Sequence, residues 1–260
     1  NVFVNAGDYT NMSGFVGSLG VGIEGAGVGL ASDTNTVERD VTAIVSGSNV
    51  NATNKFEIDA ESMQGISSYS LGGGMAGVVT VAELENTTKA ALQNSKVNAN
   101  TVIVNANHKG IVNAGNTGVG VDVVGAGIGL SVGVLKDNSE TYAEVSGDNK
   151  AEDTITAAGN VKIAATNTAV AKPVIYSTGA GGFAGVAGAT SINNLNSKVV
   201  TNIKDVAISS TGESISGTAQ NNFEVDASMG SFAGAAVGAG AGVTVNTIGS
   251  TVQTNVSNSD

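Results

Sequence analysis

The chain has 260 residues and a formal charge of −11, with 37 glycines, one proline, no tryptophan and no cysteine, and only 4% of its residues are aromatic. The acidic balance and the lack of any basic stripe exclude a nucleic-acid binder and disfavour steady adsorption to anionic lipid, and the cysteine count excludes disulfides and thiolate metal sites. With 41% hydrophobic and 13% charged residues the chain is too apolar to be disordered, yet it lacks the large side chains of a thick core. A thin interior of Val, Ile, Ala and Gly, held by extensive backbone hydrogen bonding, is the remaining solution.

The elements repeat. The first unit, 1–54, opens on the period-two run VFVNA (2–6), passes through GSLGVGIEGAGVGLA (17–31) and closes with TNTVERDVTAIVSGSNVNA (34–52). The second, 55–101, runs FEIDA (56–60), GGGMAGVVTVA (72–82) and NTTKAALQNSKVNA (86–99). The third, 102–160, opens on VIVNA (102–106) and continues with GVGVDVVGAGIGLSVGV (118–134). The fourth, 161–221, has VKIAA (161–165), GAGGFAGVAGA (179–189) and NSKVVTNIKDVAIS (196–209), and the fifth, 222–260, has FEVDA (223–227) and GSFAGAAVGAGAGVTV (230–245). GAGVGL (25–30) is echoed by GAGIGL (125–130), SNVNA (48–52) by SKVNA (95–99), and FEIDAESM (56–63) by FEVDASM (223–229). Self-similarity of this kind marks a stack of one small unit.

Alternation in the opening runs predicts half-buried strands. Glycine weakens a strand, and its usual meaning there is close approach of another backbone; recurrence in every unit makes it a packing device across a narrow interior. The closing runs are β-branched and rich in Asn, Ser and Thr, which suit turns and left-handed positions. Around NTTKAALQNSK (86–96), Leu84, Thr88 and Ala91 fall at helical spacing, but the equivalent runs favour strand, so strand is expected there too. The result is an all-β parallel β-solenoid occupying 1–260. At about 20–25 residues per rung and about 4.8 Å per rung, it would form ten to thirteen rungs, roughly 50–60 Å long.

Motifs that resemble chemistry are weak. GVGIEG (20–25) and GGGMAG (72–77) match a dinucleotide fingerprint, but no helix is expected after either. His108, the single histidine, lies in NANHKG, which reads as a solvated turn. Glu83 and Glu85 would share a strand face, as a glycosidase or cation pair might, while Glu38 with Asp40 and Glu152 with Asp153 are further acidic neighbours; no unit repeats such a pair, so solvated faces are expected. The uncharged run 229–245 is too rich in Gly and Ala for a membrane helix and reads as a buried stacking segment. No catalytic, cofactor-binding or metal-ligating residue is assigned.

AGVVTVAELENTTKAALQNSKVNA (76–99) and, more loosely, AGVTVNTIGSTVQTNVSNS (241–259) resemble the repeat regions of leukotoxin-type filamentous adhesins of Gram-negative anaerobes. Segment 161–221, with Pro173, departs most. The resemblance implies a type V-secreted passenger region that passes through an outer-membrane partner, folds as a right-handed parallel β-helix and acts outside the cell or on its surface. The chain opens directly on a strand and stops in NVSNSD, so its export signal and anchor are expected elsewhere. The expected role is an adhesive stalk or cell-binding surface for a host-cell or bacterial receptor or glycan. It needs no cofactor or nucleic acid, and the chain itself does not insert into a membrane. A cytotoxin segment is the alternative, and a carbohydrate-active β-helix enzyme a more distant one.

Overall fold

Period-two alternation governs nearly every strand of the computed structural model, which describes residues 1–21, 27–212 and 214–260. Part of GVGIEG and of GAGVGL, together with Glu24, lies outside the described residues. The first coil comprises β1 (Val2–Leu19), β2 (Val28–Ser46) and β3 (Asn49–Asn51); the second β4 (Lys55–Gly73), β5 (Met75–Gln93) and β6 (Lys96–Ala99). The third comprises β7 (Thr101–Asp122), β8 (Ala126–Ser146) and β9 (Thr154–Ala157); the fourth β10 (Val161–Gly181), β11 (Ala184–Lys204) and β12 (Ala207–Ser210). The last has β13 (Ile215–Val225), β14 (Ser228–Gly234) and β15 (Val237–Ser257). All pairing is parallel, between equivalent strands of successive coils, in three sheets: β1-β4-β7-β10-β13 with β14, β2-β5-β8-β11-β15, and the short β3-β6-β9-β12. This is a right-handed parallel β-helix with no helix among the described residues.

The coils are far wider than expected. In the first sheet Val2, Phe56, Val102, Val161 and Ile215 stand in register, separations of 54, 46, 59 and 54 residues. One coil therefore absorbs a whole sequence unit rather than 20–25 residues, and five coils stack to a height of only about 24 Å. Each long strand of some 20 residues runs about 65 Å, so the molecule is a broad blade, not a rod. VFVNA, FEIDA, VIVNA and VKIAA lie side by side, and the fifth coil matches them with ISGTA (215–219), aligning Ala6, Ala60, Ala106, Ala165 and Ala219. The fifth coil thus opens at Ile215, not at 222. FEVDA falls eight residues further along, with Phe223 beside Ala169; an even shift preserves the inward face but not the register.

The cross-section tapers. At one end the three sheets enclose a triangular core of Phe56, Ile58, Val97, Val102, Val104, Ile155, Ile163 and Val199. A second, slimmer apolar layer follows around Ile66, Leu84, Val112, Leu135 and Leu195, between the two long sheets alone. At the far end these sheets meet backbone to backbone. A Cβ added to Gly127 would sit on the Ala180 carbonyl and 2.7 Å from the Gly120 oxygen, and one on Gly118 would lie 2.7 Å from the Leu130 oxygen. The close approach read from the glycine pattern is therefore real, and it is what permits the pinch.

At the opposite corner the chain leaves the second sheet through stacked left-handed residues: Gly47, Asn94, Asp205 and Asn258 have φ of 58°, 46°, 54° and 48°. Glycine, Asn and Asp are the residues that tolerate this region. The Gly47 N–H donates to the Gln93 carbonyl at 3.0 Å and the Asn94 N–H to Ser146 at 2.8 Å, so the turn repeats as a ladder. Pro173 has its own consequence. It is buried inside β10, and the gap between β13 and β14 lies opposite Lys172 and Pro173. With no N–H to donate, proline interrupts the ladder to the last coil.

Candidate functional site

The outer face of the second sheet carries a shallow groove of about 540 Å3 that crosses all five coils. Parallel in-register stacking builds it from two columns of outward side chains. One runs Glu38, Glu85, Asn138, Asn196 and Gly249; the other runs Asp40, Thr87, Glu140, Lys198 and Thr251. The Asn196 side chain leans over Gly249, its Oδ1 filling the space that a Cβ there would take. Carboxylates gather toward the first coils and amides toward the later ones.

Flanking pairs define the edges. Lys136 Nζ lies 3.4 Å from Glu83 Oε1, and Lys89 Nζ lies 2.5 Å from Glu144 Oε2. Lys198 Nζ sits 5.2 Å from the centre of the Tyr142 ring, whose hydroxyl donates to Glu140. The hydrogen bond with Tyr142 and the nearby negative charge raise the Lys198 pKa, so it stays cationic. Burial, reinforced by Glu140, raises that of Tyr142, which stays a neutral donor. The groove thus offers carboxylate and amide acceptors beside amide, hydroxyl and ammonium donors, a set that suits a ligand rich in hydroxyl groups.

Glu83 and Glu85 do share an outer face, as their spacing indicates, but their surroundings differ: Glu83 is paired with Lys136, whereas Glu85 lines the groove next to Glu38. Glu38 and Asp40 both line it. Asp153 instead folds a loop, its Oδ2 accepting from the N–H groups of Asp148 and Asn149 at 2.8 and 2.9 Å. No group of three or more His, Asp or Glu among the described residues is placed to hold a metal ion. The groove was hidden in the sequence because Glu38 and Glu85, 47 positions apart, become neighbours only when the coil length is known.

His108 corrects the sequence reading. It is not in a turn but in the middle of β7, pointing inward, and it is fully buried beside Ser62 and Asn167. Neither ring nitrogen has a hydrogen-bond partner. Asp137, also fully buried, faces the same space: a Cβ added to Gly110 would clash with Asp137 Oδ2 and approach His108 Nε2 at 3.1 Å. Ser139 donates to Asp137 Oδ1, while Oδ2 is unpartnered. A seam of polar side chains runs through this part of the interior, with Asn86 accepting from Ser62 and Gln64 at 3.0 Å each, and Asn167 donating to Asn221 at 2.8 Å.

Burial pushes the Asp137 carboxyl up to about 7 and the His108 imidazole down to about 4. Asp137 titrates in the folded state above its ordinary 3.8, so its contribution is fully present below pH 3.8 and is lost as pH rises toward 7. His108 titrates below its ordinary 6.5, so its protonation costs stability as pH falls from 6.5 toward 4. The two slopes oppose each other across their common window. Asp137→Asn removes one of them: the melting temperature at pH 8 should rise by several degrees, and stability should then climb with pH between 4 and 6.5. A variant that melts at the wild-type temperature at pH 8 and shows no such slope would contradict the burial of Asp137 and His108.

No protein-family model, curated protein or solved structure matches the chain.

Proposed function

We propose that this chain is a segment of a secreted or cell-surface filamentous adhesin that binds a surface glycan, of host or bacterial origin, along the outer groove of the second sheet. The observation that carries this reading is the groove itself: every coil contributes polar side chains to one continuous trough. A trough that crosses rungs suits an extended polymer, because each added coil adds a subsite with the same spacing. The parallel stack supports the structural half of the reading, since coils of this kind extend a fibre without new topology. In this reading the adhesin leaves the cell through an outer-membrane partner, works outside it and turns nothing over.

Glycan-array binding of the intact chain, followed by titration with the best oligosaccharide, tests the reading. Glu85→Ala and Asn196→Ala remove a carboxylate acceptor from the first half of the groove and an amide from the second. Each should weaken binding at least fivefold, about 1 kcal/mol for one hydrogen bond, with the circular dichroism unchanged. Chromatography should return the oligosaccharide at its original length. Binding untouched by both variants, or a shortened glycan, would reject it.

A further inference from the structure

Charge is segregated along the blade. Residues 64–82, 173–197 and 227–259 contain no Asp, Glu, Lys or Arg, and 110–135 contain only Asp122. In the first coil, the described residues 9–21 and 27–32 are uncharged as well. Asp122 sits at the turn, where its carboxylate accepts from the N–H groups of Val124 and Gly125 at 3.0 and 2.9 Å. Asp33, the other acid on this half, is buried. The pinched half of every coil therefore presents an almost uncharged surface, and the charges lie on the wide half.

On the second sheet this half is a continuous apolar face. Val79, Val132 and Val243 stand in one column with Ser32 before the first and Thr190 between the last two, and Leu130, Val186 and Ile192 surround them. Leu130 is 47% exposed and Val243 52%. The same half of the first sheet also exposes Phe15, Tyr69, Leu71, Tyr176 and Phe232, but the tyrosine hydroxyls and the outward Asn113, Thr117 and Thr178 interrupt it. Soluble single chains rarely leave apolar patches of more than a few hundred Å2 uncovered.

We infer that this face pairs with its counterpart on a second copy of the chain. Five strands at 4.8 Å and about nine residues along each give about 700 Å2 per copy, hence about 1,400 Å2 in a pair, within the range of specific interfaces. A two-fold arrangement in which the pinched halves overlap and the wide halves point apart buries the apolar faces against each other. It also keeps two acidic halves at a distance, which matters for chains of charge −11. A lipid bilayer is the poorer occupant. Ser32 and Thr190 stand within the central column, and hydrocarbon would leave their hydroxyls unsatisfied, whereas a facing sheet can supply polar partners.

Sedimentation velocity of the intact chain over about 1–100 µM, the range of weak to moderate self-association, tests the pairing. The wild type should sediment as a dimer at the upper concentrations. Leu130→Lys with Ile192→Lys should raise the dissociation constant at least tenfold and leave the circular dichroism unchanged. Should the lysines disturb the fold, Leu130→Thr with Ile192→Thr removes apolar area with β-forming residues and should weaken the dimer in the same direction. Thr42→Lys, on the wide half of the same sheet, should leave the dimer intact. A monomer at every concentration, or a dimer unaffected by both double variants, would overturn the pairing. Flotation of the monomer with neutral phosphatidylcholine vesicles, abolished by the same lysines, would assign the face to lipid instead.

Discussion

Gly127→Val should lower the stability of the chain by about 3 kcal/mol, at or beyond the upper end of the usual cost of overpacking. The reason is what the new atoms would meet. Most overpacked cores relax by moving the far end of a side chain, but here the obstacle is the main chain of two neighbours, the Ala180 carbonyl in the next coil and the Gly120 oxygen across the pinch. Neither can retreat without breaking ladder hydrogen bonds. Gly7 provides the internal contrast. It lies on an outer strand face, where an added Cβ would find only the Glu61 oxygen at 3.9 Å. Gly7→Ala should therefore be neutral or stabilise by about 0.4–1 kcal/mol through the unfolded chain. Urea denaturation of the two variants decides the matter. Equal midpoints would mean that the sheets do not meet where the glycines are.

Phe56→Ala should cost about 3–5 kcal/mol. Phe56 is the largest side chain in the triangular core and has no exposed surface. It opens its strand next to Val2 and Val102, so its removal leaves a cavity shared by three coils. Apart from Leu92, the rest of that core is Val, Ile and Ala, whose stiff, short side chains cannot swing in to fill the space. Phe3, one residue from the equivalent position in the first coil, points outward and is 52% exposed. Phe3→Ala should change the urea midpoint little, and a comparable loss in both variants would contradict the assigned inward and outward faces.

The physical signals in the sequence differ in range, and this explains what was legible. Alternation in FEIDA, VIVNA and VKIAA is a local property of strands, so the strands could be read directly. Recurrent glycine reports a steric demand at each glycine, so the narrow interior could be read as well. Coil length is not local. Gly and Asn inside β7, at Gly110, Asn113 and Gly115, resemble the punctuation between short strands, because strands in most proteins run to about five or six residues. Here the ladders on both sides of β7 carry such residues without a break, and β7 reaches 22 residues. The same misreading placed His108 in a turn. Its neighbours at even spacing, Ala106, Gly110 and Val112, all face the interior, so the alternation ran straight through NANHKG. The groove and the apolar face depend on which residues meet across coils, and that follows only from the register.

Register is therefore what the whole account rests on, and the cysteine-free chain allows it to be measured directly. Nitroxide labels on Asn5→Cys and Asp59→Cys, 54 residues apart and directly paired on the outer face of the first sheet, would stand on strands about 4.8 Å apart. Their continuous-wave spectrum should be strongly broadened by spin–spin coupling. Labels on Asn5→Cys and Leu30→Cys, 25 residues apart, belong to different sheets and should give the sharp sum of two isolated spins. Broadening in the second pair and not the first would show a narrow coil of 20–25 residues, and would contradict the broad blade on which the groove, the pinch and the pairing face all depend.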